Sequence, residues 1–356
     1  MGTNMGKEIK TGIIGFGYMG RFHYEKAGRF EDVRVCAVFD TQEEKRAQAA
    51  ALGIRTYDTL DAFLEEELDL VIIATPNQWH APYAIAAMRS GKNVLCEKPA
   101  TMSVREIDDV IACAQETGKF FTVHQQRRFD PDYRALCDVI RSGRIGKVTT
   151  IESKVLGERG VCFGWRGDPE SGGGMLYDWG VHLIDQILQL YPEEKVVSVY
   201  ARIMSILTPA VDDCFEISMV FSNGVLTKVM VTTFALEKLP RWFVFGDRGT
   251  LRIEDIMSTN GRARRIRDGV RGFDSVVGKK NLGPSRTMAP LKPEYLEEVP
   301  IPEESDMSLE FWDNLVKAVK GEADLYVTTQ QIRRQMLIVE ASFRSAENNE
   351  CIKCEI

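Results

Sequence analysis

Residues 172–188 read GGGMLYDWGVHLIDQIL, an apolar helical pattern behind three glycines. Its polar side chains include Asp178, His182 and Asp185, with Gln189 just beyond. At about 100° per residue these four fall on one narrow stripe of a helix. Solvated helix faces are usually rich in lysine and glutamate, and this stripe has neither. Aspartate, histidine and glutamine are short groups suited to holding a ligand. An imidazole with an ordinary pKa of about 6.5 also accepts a proton near neutral pH. The competing reading is a polar stripe on a packed helix. Gly172, Gly173 and Gly174 would leave the approach to the stripe open, or form a flexible turn.

A second group of residues suits a dinucleotide. Gly15, Gly17 and Gly20 make G-x-G-x-x-G in GFGYMG, between a strand pattern and a helix pattern. Glycine lets the backbone approach a pyrophosphate, and the following helix N-terminus offers unpaired N–H groups to the phosphates. Asp40 ends the next strand pattern, twenty residues after Gly20. A carboxylate there can accept from both ribose hydroxyls of NAD and would repel a 2′-phosphate. It could also cap the helix that begins in DTQEEK. NAD is therefore expected over NADP.

Ligands of a doubly wound sheet lie at the carboxyl ends of its strands. Lys98, in EKPA after the strand pattern KNVLC, falls where a nicotinamide would lie, although surface lysines also cap strands. Thr75, Pro76 and Asn77 follow another strand and could line the same cleft, with His80 a neighbour or simply polar at a helix start. Phe16, Tyr18, Met19, Glu97 and Gln125 complete the expected cofactor contacts. Trp165, Arg166 and Lys154 are candidates for substrate recognition, with Glu158 nearby. Arg127 and Arg128 either reach the cleft or tie domains together.

The stretches GIIGFGYMG, ATPNQWH, EKPA, RRFDPDY and GWRGDPESGGGMLYDWGVHLID resemble the Gfo/Idh/MocA oxidoreductases. The resemblance covers nearly the whole chain and is weakest across 258–300. It implies an N-terminal Rossmann domain binding NAD(P) and a C-terminal domain on an open, mainly antiparallel sheet, often used for oligomerisation. It implies that Lys98 contacts substrate and cofactor, that the following proline is often cis, and that Asp178 and His182 complete the catalytic group. The expected reaction is hydride transfer between the nicotinamide and a secondary alcohol of a sugar, glycoside or cyclitol. His182 would take the proton and Lys98 would support the reacting oxygen. An NAD-dependent glycosidase acting by transient oxidation and elimination is the alternative, and a non-catalytic sensor a third reading.

The elements that must position these residues follow two rhythms. Residues 8–125 alternate buried strand patterns with helices, as a doubly wound parallel sheet does. After about residue 128 a helix at 131–142 leads to a strand near 148–156 and then long β-like runs with turns at SNG and GDRG. Helices at about 306–320 and 328–347 close the chain. The expected division is a dinucleotide-binding domain over 1–128 and an α+β substrate and oligomerisation domain over 129–356. Residues 258–300, rich in Arg, Lys, Gly and Pro, read as an irregular loop.

The net charge of -7 disfavours nucleic acid or an anionic membrane as the main partner. No apolar run approaches the roughly 20 residues that span a bilayer. A cytoplasmic chain with a small-molecule substrate is expected, assembled as a homodimer or homotetramer through the C-terminal sheet. Eight cysteines, including Cys162, are scattered, and only Cys351 and Cys354 form a C-x-x-C. One such pair is weak evidence for a metal, and none is expected.

Overall fold

The computed structural model describes residues 8–159, 163–270 and 290–356. Cys162, residues 1–7 and the stretch 271–289 lie outside the described residues.

The first half builds a parallel sheet. Its elements are β1 (Ile9–Ile14), α1 (Tyr18–Ala27), β2 (Val33–Phe39), α2 (Glu43–Ala50), β3 (Arg55–Tyr57), α3 (Leu60–Leu64), β4 (Leu70–Ile73), α4 (His80–Arg89), β5 (Asn93–Cys96), α5 (Val104–Thr117) and β6 (Phe121–Val123). The strand order is β3-β2-β1-β4-β5-β6, every pair parallel. Helices cover both faces, so β4 can be apolar throughout: Leu70, Val71, Ile72 and Ile73 are all buried. The strand order reverses between β1 and β4, and a crevice opens there at the strands' carboxyl ends.

The second half builds a larger, mixed sheet. Its elements are α6 (Pro131–Arg141), β7 (Val148–Leu156), α7 (Val181–Leu190), β8 (Val196–Met204), β9 (Cys214–Phe221), β10 (Leu226–Thr232), β11 (Trp242–Gly246), β12 (Gly249–Ile253), β13 (Gly261–Ile266), β14 (Leu296–Val299), α8 (Ser308–Val319), α9 (Thr329–Asn348) and β15 (Ile352–Lys353). The order is β14-β13-β12-β11-β7-β10-β9-β8-β15, antiparallel except where β7 lies parallel to β10. The turns after β9 and β11 fall at Ser222–Gly224 and Asp247–Arg248, inside the SNG and GDRG motifs.

One sequence expectation changes. Residues 258–300 are not irregular throughout, because β13 pairs with β14 in antiparallel register. The pairing carries Arg262 against Glu298 and Arg265 against Glu297. Charges suit an exposed sheet edge, and they erase the apolar alternation by which strands are recognised. The C-terminal C-x-x-C flanks the short edge strand β15, where Cys354 donates to the carbonyl of Val196 at 3.2 Å.

Helix α9 ties the two halves together. Thr328 caps it in a reciprocal capping box with Gln331. It lies against β8, α7 and α5. Helix α8 packs on α1. Both C-terminal helices therefore touch the parallel-sheet half.

The glycine turn after β1 combines two demands. Gly15 has φ +88, a conformation that favours glycine, and a Cβ on Gly20 would lie 2.1 Å from the Gly15 oxygen. A Cβ on Gly17 meets nothing within 4 Å. Gly20→Ala should therefore lower stability by about 1–3 kcal/mol in urea unfolding, whereas Gly17→Ala should leave it unchanged.

Candidate active site

A cleft of about 840 Å³ runs from the glycine turn to the start of α7. Gly15, Gly17, Tyr18, Met19, Asp40, Thr75, Pro76, Asn77, Glu97, Lys98, Trp165, Arg166, Asp178 and His182 all line it. At one end the Asp40 carboxylate accepts from the backbone N–H groups of Phe16 and Gln42, each at 2.8 Å. The open space at Gly17, the N-terminus of α1 and a carboxylate at the end of β2 fit a dinucleotide's phosphates and ribose. Lys45, the last residue of DTQEEK, lines the same end and adds a cation there. Trp79 and Tyr83, stacked 5.4 Å apart, also face the cleft.

Lys98 stands at the other end, at the exit of β5, with a cis peptide bond to Pro99. Its ammonium donates to the Asp178 carboxylate at 2.5 Å and to the Asp178 carbonyl at 2.8 Å. Arg166 meets the second carboxylate oxygen at 3.3 Å and lies 4.5 Å from the Trp165 ring. Burial alone would raise the Asp178 pKa, but the Lys98 and Arg166 charges outweigh it and hold it below the usual range. Arg127 stacks on Trp179 at 4.3 Å and pairs with Asp130 at 2.9 Å.

Asp178 does not sit on a regular α-helix. Leu176–Gly180 form a π-helical turn that runs into α7. Such turns carry one extra residue and are frequent at functional sites. The glycines before it are close-packed rather than open or flexible. A Cβ on Gly173 would meet the Arg166 oxygen at 2.4 Å, and one on Gly174 the Asp212 carboxylate at 2.1 Å. Asp212 in turn accepts from the Leu176 N–H at 2.8 Å, anchoring the turn's start. Asn77 donates to the Gly172 carbonyl at 2.7 Å, so the cofactor-side loop holds the glycine run directly.

The expected stripe divides in two. Asp178 and His182 face the cleft. Asp185 instead accepts both arms of Arg128, each at 2.7 Å, and Gln189 accepts from Gln331 of α9. Arg128 also donates to the Tyr326 carbonyl and to Gln331. It ties elements together and does not reach the cleft.

Other expected contacts are displaced. Phe16 and Gly20 are buried beneath the turn, leaving only the neighbouring residues to face a ligand. His80 is fully buried between two cleft loops, its ring nitrogens 2.6 and 3.0 Å from the carbonyls of Pro99 and Thr75; burial favours the neutral ring, whose one N–H donates to one of the two. Gln125 is buried and meets His182 rather than the cleft. Lys154 pairs with Glu152 along β7, and Glu158 is exposed; neither lines the cleft.

Sequence reading missed a buried triad below Lys98. The Glu97 Oε1 atom accepts from His23 Nε2 at 2.7 Å and His124 Nδ1 at 2.9 Å. Burial would raise the Glu97 pKa, but the two histidines hold it well below its usual value. These three are the metal-like cluster found among the described residues. Their spacing is that of hydrogen bonds, shorter than the roughly 3.3 Å between donors around tetrahedral zinc with bonds of about 2.0 Å. Nothing in the spacing of single residues from three different strands and helices signals such a triad.

Two segments match family models. Residues 9–125 match the GFO/IDH/MocA oxidoreductase family with its NAD-binding Rossmann fold, and 133–252 match the GFO/IDH/MocA C-terminal domain. An uncharacterised oxidoreductase of Schizosaccharomyces pombe is 35% identical over 217 residues, and the match spans 59% of this chain and 59% of that relative's length. The scyllo-inositol 2-dehydrogenase (NADP(+)) IolW of Bacillus subtilis is 24% identical, over 98% of this chain and 96% of its own. The crystal structure of an NAD-binding protein from Listeria innocua superposes with a TM-score of 0.92 at 34% identity, covering 98% of this chain and 100% of that one.

The division of the stripe has a measurable consequence. Arg128→Met would leave the Asp185 carboxylate, 4% exposed, without its partner. Removing one member of a buried pair costs about 3–5 kcal/mol. Urea unfolding should show that loss, while dinucleotide binding to the folded variant stays within a few-fold of the wild type.

Proposed function

Because the chain belongs to the GFO/IDH/MocA oxidoreductase family, we propose that it transfers a hydride between a nicotinamide dinucleotide and a secondary alcohol of a sugar, glycoside or cyclitol. One observation carries this reading: Lys98, Asp178 and His182 line one cleft with the glycine turn and Asp40. The bound dinucleotide supplies the site that accepts or donates hydride. The remaining steps belong to the chain. Lys98 donates a hydrogen bond to the reacting oxygen and stabilises the negative charge that develops there. Asp178 orients the Lys98 ammonium and offers a carboxylate oxygen to a substrate hydroxyl. His182 takes the hydroxyl proton as the carbonyl forms, and returns it in the reverse direction. Trp165 gives a ring face for a sugar, and Arg166 and Arg127 give donors at its rim.

His182 is a weaker base than its ordinary pKa suggests. Burial lowers its pKa well below the usual value, and the Lys98 and Arg127 charges add to that shift. A depressed pKa keeps the ring neutral, and so able to accept a proton, into mildly acid solution. The acid limb of kcat/KM should therefore fall below about pH 6.5, with activity lost as pH drops through it. Arg127→Gln removes one positive charge and should move that limb upward. His182→Ala should slow hydride transfer about 10²–10⁴-fold in stopped-flow measurements, with NADH affinity within a few-fold. Wild-type transfer in that variant would remove His182 from the reaction.

Asp40 supports a preference for NAD, and we expect at least a tenfold advantage in kcat/KM, roughly 1.4 kcal/mol. Lys45 at the same end works the other way. Asp40→Ser should erase or invert the preference, since it removes the repulsion and leaves the cation. Equal use of both cofactors by the wild type would count against the assignment of Asp40.

Assembly is proposed from the C-terminal sheet. Phe234, Leu236, Leu239 and Phe245 are exposed on or beside it. Apolar groups clustered there favour contact with a second copy. Light scattering should detect a dimer or tetramer at micromolar concentration, and a single-chain mass would refute it.

A further inference from the structure

His182 is the head of a closed circuit of side-chain amides. Its Nδ1 lies 3.1 Å from Gln125 Oε1. Gln125 Nε2 donates to Gln335 Oε1 at 3.2 Å. Gln335 Nε2 donates to the carbonyl of Val181, the residue just before His182. All three side chains are buried, with His182 at 4% and both glutamines at 1% exposure. The glutamines come from different places, Gln125 from the loop after β6 and Gln335 from the first half of α9.

The direction of every bond follows from the last member. A backbone carbonyl can only accept, so Gln335 must turn its NH₂ toward Val181. Its oxygen then faces Gln125, which must present its own NH₂. That leaves the Gln125 oxygen toward His182, and the ring nitrogen facing it must carry a proton. A neutral imidazole has one N–H, so Nε2 is left bare as the acceptor. No hydrogen-bond partner for Nε2 is found among the described residues, and the residue lines the cleft.

We propose that Gln125 and Gln335 are positioning residues that lock His182 in its Nδ1–H tautomer, so that Nε2 faces the substrate ready to take a proton. The circuit differs from an aspartate–histidine pair, because a neutral amide holds the tautomer without stabilising the imidazolium. It leaves the ring weakly basic, able to accept a proton in one direction and to release it readily in the other. The inference rests on the reading of His182 as proton acceptor, but its central observable is independent of catalysis.

The test is ¹⁵N NMR of protein labelled at its four histidines, in which protonated and bare ring nitrogens resonate far apart. His182→Gln identifies the His182 signals by their loss. At neutral pH the wild type should show His182 with Nδ1 protonated and Nε2 bare. Gln335→Met leaves the Gln125 amide free to rotate, so His182 should gain the Nε2–H form. Hydride transfer should then fall at least about tenfold with KM and NADH affinity little changed, as a misplaced tautomer costs up to about 10⁴-fold in a catalytic triad. Gln335→Glu, neutral in that buried place, can donate to Val181 and accept from Gln125, and should restore both the tautomer and the rate. An Nε2-protonated His182 in the wild type would overturn the proposal, as would an unchanged tautomer in Gln335→Met. Wild-type transfer in His182→Ala beside the expected NMR pattern would instead remove the catalytic reading and leave the lock standing.

Discussion

The ion pair between Lys98 and Asp178 joins the two halves of the protein at the point where chemistry would occur. Both side chains are largely buried, at 14% and 16% exposure. An ammonium or a carboxylate left alone there would carry a desolvation penalty of several kcal/mol. The pair removes that penalty only at contact distance, so the exit of β5 and the π-helical turn cannot separate cheaply. Asp178 divides itself between Lys98 and Arg166, and its own carbonyl holds the ammonium from a second side. The lysine is thereby aimed into the cleft.

The surroundings are arranged to hold that geometry. Asn77 bonds the glycine run, Asp212 bonds the start of the π turn, and His80 fills the space between the Thr75 and Pro99 carbonyls. The close approaches at Gly173 and Gly174 leave no room for a side chain. Below Lys98, a buried carboxylate shared by His23 and His124 places negative charge under a rim of cations. The cationic rim and the burial together disfavour a charged His182. One helix, α7, serves two purposes in consecutive turns: its first turn carries His182 toward the cleft, and its next ties Asp185 to Arg128. The same α9 that closes the amide circuit on Val181 also receives Gln189 and Arg128. Site and scaffold share their supports.

Much of this was legible before any fold was drawn. The glycine turn, Asp40 and the apolar runs of β1, β4 and β5 report a doubly wound sheet, because glycine spacing and buried strands are local signals. Lys98, Asp178 and His182 stood out by type and by position at strand and helix ends. What failed to show were the long-range partners. Gln335 is one glutamine in a helix with several, and His23 one histidine in α1. Lys154 had the right charge and the right neighbourhood, yet its strand directs it to Glu152. The β13–β14 pair escaped because its alternation is carried by charge rather than by apolar side chains.

The sequence by itself determined the order of elements, the doubly wound character of the first half, and the side-chain types that could move a proton. These depend on periodicity, turn chemistry and side-chain type, all readable within a few residues. Only the tertiary structure decided which of those side chains meet. Asp178 and His182 were one stripe with Asp185 and Gln189 until packing against Arg128 and α9 divided it. Whether Gln125 touches a cofactor or a histidine depends on an element 210 residues further along the chain. Contacts of that span are set by how helices and sheets close on one another, and no local pattern records them.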